Sequence, residues 1–201
     1  MLAREAEFVV IDFETTGVID EQKAEPWQIG MVFFSRGSVN TEFSYNKFLQ
    51  IEKTRAFNPS APGSWHKYRD ELAESPRLID LWTEIKSWWL DRTLVAHNIS
   101  VEKNIMEDAA PLHRYGPWID TLKLARIAYP YMDSHKLEDL IYNLQLSERL
   151  DALCPDLKAH DAYYDAVAAG LLLEHMLSQE SWQDLTIEQL VHSKPERYYK
   201  K

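Results

Sequence analysis

Phe8-Val9-Val10-Ile11-Asp12-Phe13-Glu14-Thr15-Thr16-Gly17 is an apolar run that ends in two carboxylates one residue apart. Consecutive apolar residues closed by a polar corner read as a strand buried on both faces. Residues two apart in a strand project to one face. Asp12 and Glu14 therefore stand side by side where the buried strand ends. Adjacent acids repel unless a proton or a cation lies between them. A divalent cation is the simplest resolution, and carboxylate oxygens suit Mg²⁺ or Mn²⁺. The plain alternative is a solvated strand end before a turn. Open α/β sheets place their chemistry at the carboxyl ends of central strands, which favours the metal reading.

Working outward, residues 27–35 carry Ile29, Met31, Val32, Phe33 and Phe34 and read as a second strand. Residues 43–51 read as a third, with Gly37-Ser38 as the hairpin turn between them. Residues 58–63 form a Pro- and Gly-rich loop. Ser75-Pro76 predicts a helix start, followed by an apolar stripe of Leu78, Leu81, Trp82, Ile85 and Trp89. Residues 93–97 predict a fourth strand, Ser100 a helix start, and residues 117–120 a short fifth strand. Helices follow over 122–129, after Ser134 as a cap, over 161–177, and after Thr186, where Thr186-x-x-Gln189 fits a capping box. Residues 194–201 form a charged tail that is expected to fray. The sum is one α/β domain: three meandering strands, then strands alternating with helices.

The chain of 201 residues is long enough for a full core. No apolar stretch reaches the roughly 20 residues of a membrane span. Residues 1–7 lack the pattern of a secretory signal. Cys154 is the single cysteine, so an internal disulfide is excluded and a cytoplasmic setting is expected. The net charge of −10 argues against coating nucleic acid by bulk electrostatics. It is compatible with an enzyme that acts on nucleic acid through acid-bound cations.

Two further segments carry acids. In Ala96-His97-Asn98-Ile99-Ser100-Val101-Glu102, a strand end passes into a helix start, and Glu102 falls in the first helical turn. Read alone, it is either a dipole-stabilising acid or a ligand near the same sheet edge as Asp12. His160-Asp161-Ala162-Tyr163-Tyr164-Asp165 opens the long helix, with Asp161 and Asp165 one turn apart. Read alone, this is either an N-terminal cap with a surface histidine or a site in which His160 stands beside Asp165. Asp165 lies among Ala162, Ala166 and Ala169, a poor setting for a solvated face.

Together these segments resemble the DEDDh branch of the 3′–5′ exonuclease superfamily, including exonuclease X and bacterial proofreading subunits. The resemblance spans about residues 7–178. Asp12-Phe13-Glu14-Thr15-Thr16-Gly17 matches the first motif, Ala96-His97-Asn98 with a later acid the second, and His160 with Asp165 the third. Residues 118–126 are similar to the segment after the last strand in many members, and residues 62–76, with His66, to the loop before the first large helix. One position departs: the second motif ordinarily ends in aspartate, where this chain has Glu102.

The resemblance implies a ribonuclease-H-like mixed five-stranded sheet flanked by helices. It implies an exonuclease domain over residues 1–180, with residues 181–201 as a helical extension and tail. Asp12, Glu14, Glu102 and Asp165 would hold two divalent cations, Mg²⁺ or Mn²⁺, and His160 would be the general base. Thr15, Thr16, His97 and Asn98 would contact substrate, and Tyr163 and Tyr164 are candidates for stacking on a base. The implied partner is a nucleic acid with a free 3′ end, single-stranded, with no membrane. A polymerase partner and a homodimer both stay open. Two rivals are a binding module that has lost catalysis and a metal-dependent endonuclease on the same fold.

Overall fold

The quoted run forms β1 (Glu7–Thr15), the central strand of a five-stranded sheet in a computed structural model that describes residues 1–193. The expected tail of residues 194–201 lies outside the described residues. β2 (Pro26–Ser35) and β3 (Ser38–Phe48) continue from β1 as an antiparallel meander. β4 (Thr93–Ala96) and β5 (Trp118–Asp120) add in parallel on the other side, so the order is β3-β2-β1-β4-β5. The helices are α1 (Arg69–Glu74), α2 (Trp82–Trp89), α3 (Ser100–Ala109), α4 (Thr121–Ala128), α5 (Leu137–Asn143), α6 (Ser147–Leu153), α7 (Ala162–Ser178) and α8 (Ile187–His192). This is the mixed sheet with flanking helices that the sequence implies. No helix among the described residues is long and apolar enough to cross a membrane.

The period of two along β1 divides the interior. Phe8 and Val10 join Val32, Phe34, Val95 and Ile119 beneath the apolar residues of α7. Val9, Ile11 and Phe13 join Ile29, Met31 and Leu94 on the opposite face, against Ile85 and Trp89 of α2 and Met106 of α3. Each such side chain, fully buried, contributes roughly 1.5–3 kcal/mol relative to exposure. β1 is thus fixed from both sides, and its polar end emerges at one edge.

Several local expectations are corrected. β3 begins at Ser38, not at residue 43, and ends at Phe48, not at residue 51. Arg36 and Gly37 both have positive φ (53° and 79°) and form the turn, so Ser35 pairs directly with Ser38. Such a tight turn suits the twist of a hairpin and starts pairing at once. The first residues of β3 are mostly polar because it is an edge strand, which hid them from an apolar pattern.

Ser75 is not the start of a helix. It ends α1 in an extended conformation, and its hydroxyl donates to the Glu71 carbonyl at 2.8 Å. The Gln50 N–H donates to the Pro76 carbonyl at 2.9 Å, which holds that residue beside the end of β3. The chain then makes a 3-10 turn, Leu78–Leu81, before α2. Ser134 does not cap α5, whose N-cap is Lys136. Its Oγ accepts from the Lys136 N–H at 3.3 Å and donates to Asp139. α1 and α6 had no expectation behind them; Leu72 and Leu150 anchor them in the interior. The capping box of α8 is present: the Thr186 N–H donates to Gln189 Oε1 at 2.9 Å, and the Gln189 N–H to Thr186 Oγ1 at 3.3 Å.

The placement of α7 follows from the smallness of Gly30. Gly30 lies opposite Asp12 in the β1–β2 register. The first turn of α7 presses its backbone onto it: a Cβ at Gly30 would lie 2.2 Å from the Ala162 carbonyl carbon and oxygen and from the Tyr163 nitrogen. Backbone atoms cannot swing away as a flexible side chain can. Gly30→Ala therefore forces α7 off the sheet. We expect a loss of at least about 2–3 kcal/mol, read as a lower denaturant midpoint.

Candidate active site

The site forms where β1, β4 and β5 end and α3 and α7 begin. Asp12 and Glu14 share the α7 side of β1. The strand then stops at a register shift between Glu14 and Thr15, where Thr15 pairs with Pro26, which has no N–H to offer. Asp12 is partly buried and Glu14 is buried. β4 ends at Ala96, and α3 follows almost at once, which carries Glu102 inward; it is 3 % exposed.

α7 brings the third acid. Asp161 is its N-cap and accepts from the Tyr163 and Tyr164 N–H groups at 3.0 and 3.2 Å. It therefore stands at the helix mouth and is not a second acid on the Asp165 stripe. Asp165 lies one turn in. Its Oδ2 accepts from the His160 N–H at 3.0 Å, and His160 adopts a left-handed conformation (φ 67°). One ligand atom each from Glu14, His160 and Asp165 lies within 4.8 Å of the others.

The electrostatics show the same convergence. Burial pushes the Glu14 carboxyl up to about 8, helped by the charges of Asp165, Asp161 and Glu102. Burial also raises Asp12 well above the carboxylate range, and among charges Glu102 acts on it most, followed by Asp165, Glu14 and Asp161. Burial takes Glu102 to about 8, with Asp120 adding to the effect, and Asp165 to about 7 against the opposing His160 hydrogen bond. Every charge that acts on Asp12 and Glu14 is another carboxylate. Glu102 Oε2 is buried without a hydrogen-bond partner among the described residues. Such a set of oxygen donors fits hard divalent cations.

The other candidates have local duties. Thr15 lies at the strand end, and its Oγ1 accepts from the Gly17 N–H at 3.4 Å. Thr16 is fully buried; its hydroxyl accepts from the Glu25 N–H at 3.0 Å and donates to the Gly17 carbonyl at 3.1 Å. His97 uses both ring nitrogens inside the protein, Nδ1 with Thr121 Oγ1 and Nε2 with the His135 carbonyl, each at 3.0 Å. Burial lowers its pKa, consistent with a neutral ring that donates through Nε2. Asn98 is exposed at positive φ (76°), and its N–H donates to Asp120 Oδ1 at 3.2 Å. Tyr163 and Tyr164 pack against the α7 side of the core, and the Tyr164 hydroxyl donates to Asp151 at 3.1 Å. Both residues are only half-buried there.

Gln28 escaped sequence reasoning. It is buried in β2, its Nε2 donates to Asp161 Oδ2 at 2.7 Å, and its Oε1 accepts from the Ala162 N–H at 3.3 Å. It thereby sets the start of α7 against the sheet. The signal was present: a lone amide inside an otherwise apolar strand. Asp120 is likewise buried, caps α4 and holds the Asn98 backbone. An open groove of about 800 Å³ runs away from Asp165 and His160, past Asn98, His135 and Arg126.

A sequence model of the exonuclease family, RNase T, matches residues 9–173. The chain belongs to this exonuclease family. Its curated relatives include the PolC-type DNA polymerase III of Bacillus subtilis, 28% identical over 190 residues, and that of Bacillus cereus, 34% identical over 112 residues. These matches cover 88% and 54% of the chain but span only 12% and 7% of the polymerases. Among solved structures, exonuclease X in complex with 5′ overhanging duplex DNA superposes with a TM-score of 0.66 at 22% identity, covering 92% of this chain and 98% of that one. Pop2p of S. pombe, in a Mg²⁺- and Mn²⁺-bound form, gives 0.68 at 15% identity over 92% and 88% of the two chains. The nuclease domain of 3′hExo, described as a DEDDh family member bound to rAMP, gives 0.66 at 16% identity over 88% and 94%. The family expected from the motifs is the family found, and the fold is shared with these nucleases.

The raised acids give a pH dependence with a definite sign. Each binds its proton more tightly in the folded chain than in the unfolded one, so their contribution to stability is fully present below the ordinary carboxylate pKa. It is lost as pH rises toward the folded values of about 7 to 8. In EDTA the melting temperature should fall between about pH 5 and pH 8. Asp12→Asn should flatten that fall, and excess Mg²⁺ should reverse it at the alkaline end. A profile independent of both would contradict the assigned convergence.

Proposed function

We propose that this exonuclease-family chain removes nucleoside monophosphates from the 3′ end of a nucleic acid strand. The observation that supports the reading is the meeting of Glu14, His160 and Asp165 beside an open groove, with Asp12 and Glu102 close enough for their charges to act on one another. On this reading the four carboxylates hold two divalent cations, Mg²⁺ or Mn²⁺. When bound, the cations supply charge neutralisation at the phosphate and the leaving oxygen and acidify the attacking water. His160 accepts a proton from that water as general base. The Asp165 carboxylate fixes the His160 backbone at the mouth of α7, which limits where the imidazole can reach. On the same reading the exposed Asn98 and the half-buried Thr15 at the end of β1 meet the terminal nucleotide.

A binding module has no use for a buried, unpartnered Glu102 oxygen among raised acids, so catalysis is the better account of that cost. Similarity to a segment of PolC-type DNA polymerase III makes a single DNA strand the first substrate to try. A cytoplasmic setting, expected from the lone cysteine, belongs to the same reading.

The test is release of mononucleotides from labelled DNA and RNA with Mg²⁺ or Mn²⁺, with a circular single strand as control. Cleavage of the circle would make the chain an endonuclease. Asp12→Ala should lower turnover about 10³-fold or more while the fold persists, because one repelling charge is removed. Glu102→Gln should be severely impaired; near-normal kinetics would reduce Glu102 to a helix-start acid. His160→Ala should lower kcat by about 10²–10⁴ with little change in KM.

A further inference from the structure

We propose that Arg126 and Lys136 form a clamp for the phosphates of the substrate strand upstream of the scissile bond. The proposal rests on the nuclease reading above, because the clamp flanks that site. Arg126 and Lys136 both line the groove that contains His160 and Asp165. Both are exposed, and neither takes part in an ion pair among the described residues, although Asp133 and Glu138 lie along the same wall. Two cations without an ion pair in a groove that reaches Asp165 suit an anionic partner from outside.

Arg126 also lines a second hollow of about 780 Å³, walled by the consecutive apolar residues Ile127 to Met132. The two depressions share Arg126 and so adjoin at that side chain. The second hollow is lined in part by Tyr131, which is 98 % exposed. A strand with its 3′ end at His160 would pass Arg126 before it leaves the protein.

The wall is braced. The His135 carbonyl accepts from His97, and the His135 ring is bonded to the Tyr129 carbonyl at 3.0 Å. Lys136 follows directly on this tether, and Arg126 lies in the last turn of α4, which begins where β5 ends. A chain of net charge −10 repels a polyanion at long range, which leaves its affinity to local cations. A cation in the last turn of α4 would also answer the helix dipole. That role alone predicts no effect on strand binding.

The test compares wild type with the R126Q/K136Q double variant. Fluorescence anisotropy with a 5′-labelled oligothymidylate in EDTA reads binding without turnover. The variant should bind about tenfold or more weakly at low salt, and its log-log salt slope should be shallower by about 1.4, or about 0.7 per lost phosphate contact. Hydrolysis of p-nitrophenyl thymidine 5′-monophosphate, which has no upstream phosphate, should stay within about twofold of wild type in Mg²⁺ or Mn²⁺. Unchanged affinity and slope, or an equal loss on the ester and the oligonucleotide, would overturn the clamp. A wild type that binds with the expected slope but hydrolyses neither substrate would retain the clamp and overturn the nuclease reading instead. Melting curves of the variant exclude misfolding as the cause of weak binding.

Discussion

The close approach of the α7 backbone to Gly30 is the contact on which the site depends. Gly30 is the cross-strand neighbour of Asp12, and the first turn of α7 rests where a side chain on Gly30 would be. The helix therefore begins directly over the acid-bearing strand, and Asp165, one turn further, is close enough for its charge to act on Asp12. Gln28 refines the placement by holding both the Asp161 cap and the Ala162 N–H. Gly170 repeats the device deeper in the helix, where an added Cβ would lie 2.7 Å from Val39. Small residues along α7 allow a flat, close contact with the sheet, and close contact makes the position of Asp165 rigid.

That rigidity holds together groups that repel one another. Asp12, Glu14, Glu102 and Asp165 all have raised pKa values, with burial as the largest cause in each case. Such a cluster opposes folding at neutral pH. The opposition is borne by the apolar clusters on the two faces of β1, which grip the same strand from Phe8 to Phe13. Stability is built into the interior of the sheet and given up at its edge, a common arrangement at functional sites. The imidazole of His160 completes the set, because its backbone conformation and its hydrogen bond to Asp165 set its origin.

The polar surface around the acids has a division of labour. His97 and Thr16 look available in the sequence, yet both use their polar atoms to fix loops. Both thereby shape the site, and His97 also lines the groove. Asp120 does the same for the turn that carries Asn98. What faces the groove is the exposed Asn98 and, beyond it, two cations with no ion pair among the described residues. An acidic pit bordered by a basic wall suits a ligand whose negative charge extends past the point of reaction.

Much of this was legible along the chain because it is local. The apolar run at Phe8–Ile11 specified a buried strand, and Asp12-x-Glu14 placed two acids on one face, since strand geometry has a period of two. The box at Thr186 and Gln189 specified its own helix start. Ser75 and Ser134 misled, because a cap needs a helix already oriented by tertiary contacts; the Pro76 carbonyl is bonded to the Gln50 N–H instead, and α5 starts at Leu137 after Lys136 as its N-cap. The role of Gln28 and the fate of the His97 nitrogens were not legible, because the Asp161 partner of Gln28 lies 133 residues away and the two partners of His97 lie 24 and 38 residues away. The sequence by itself determined the strands, the acid pairs and the imidazole, all consequences of backbone period and residue chemistry. Only the tertiary structure decided which of those polar groups face the groove and which are spent on the scaffold, because hydrogen bonds between distant segments form only after the sheet and α7 have come together.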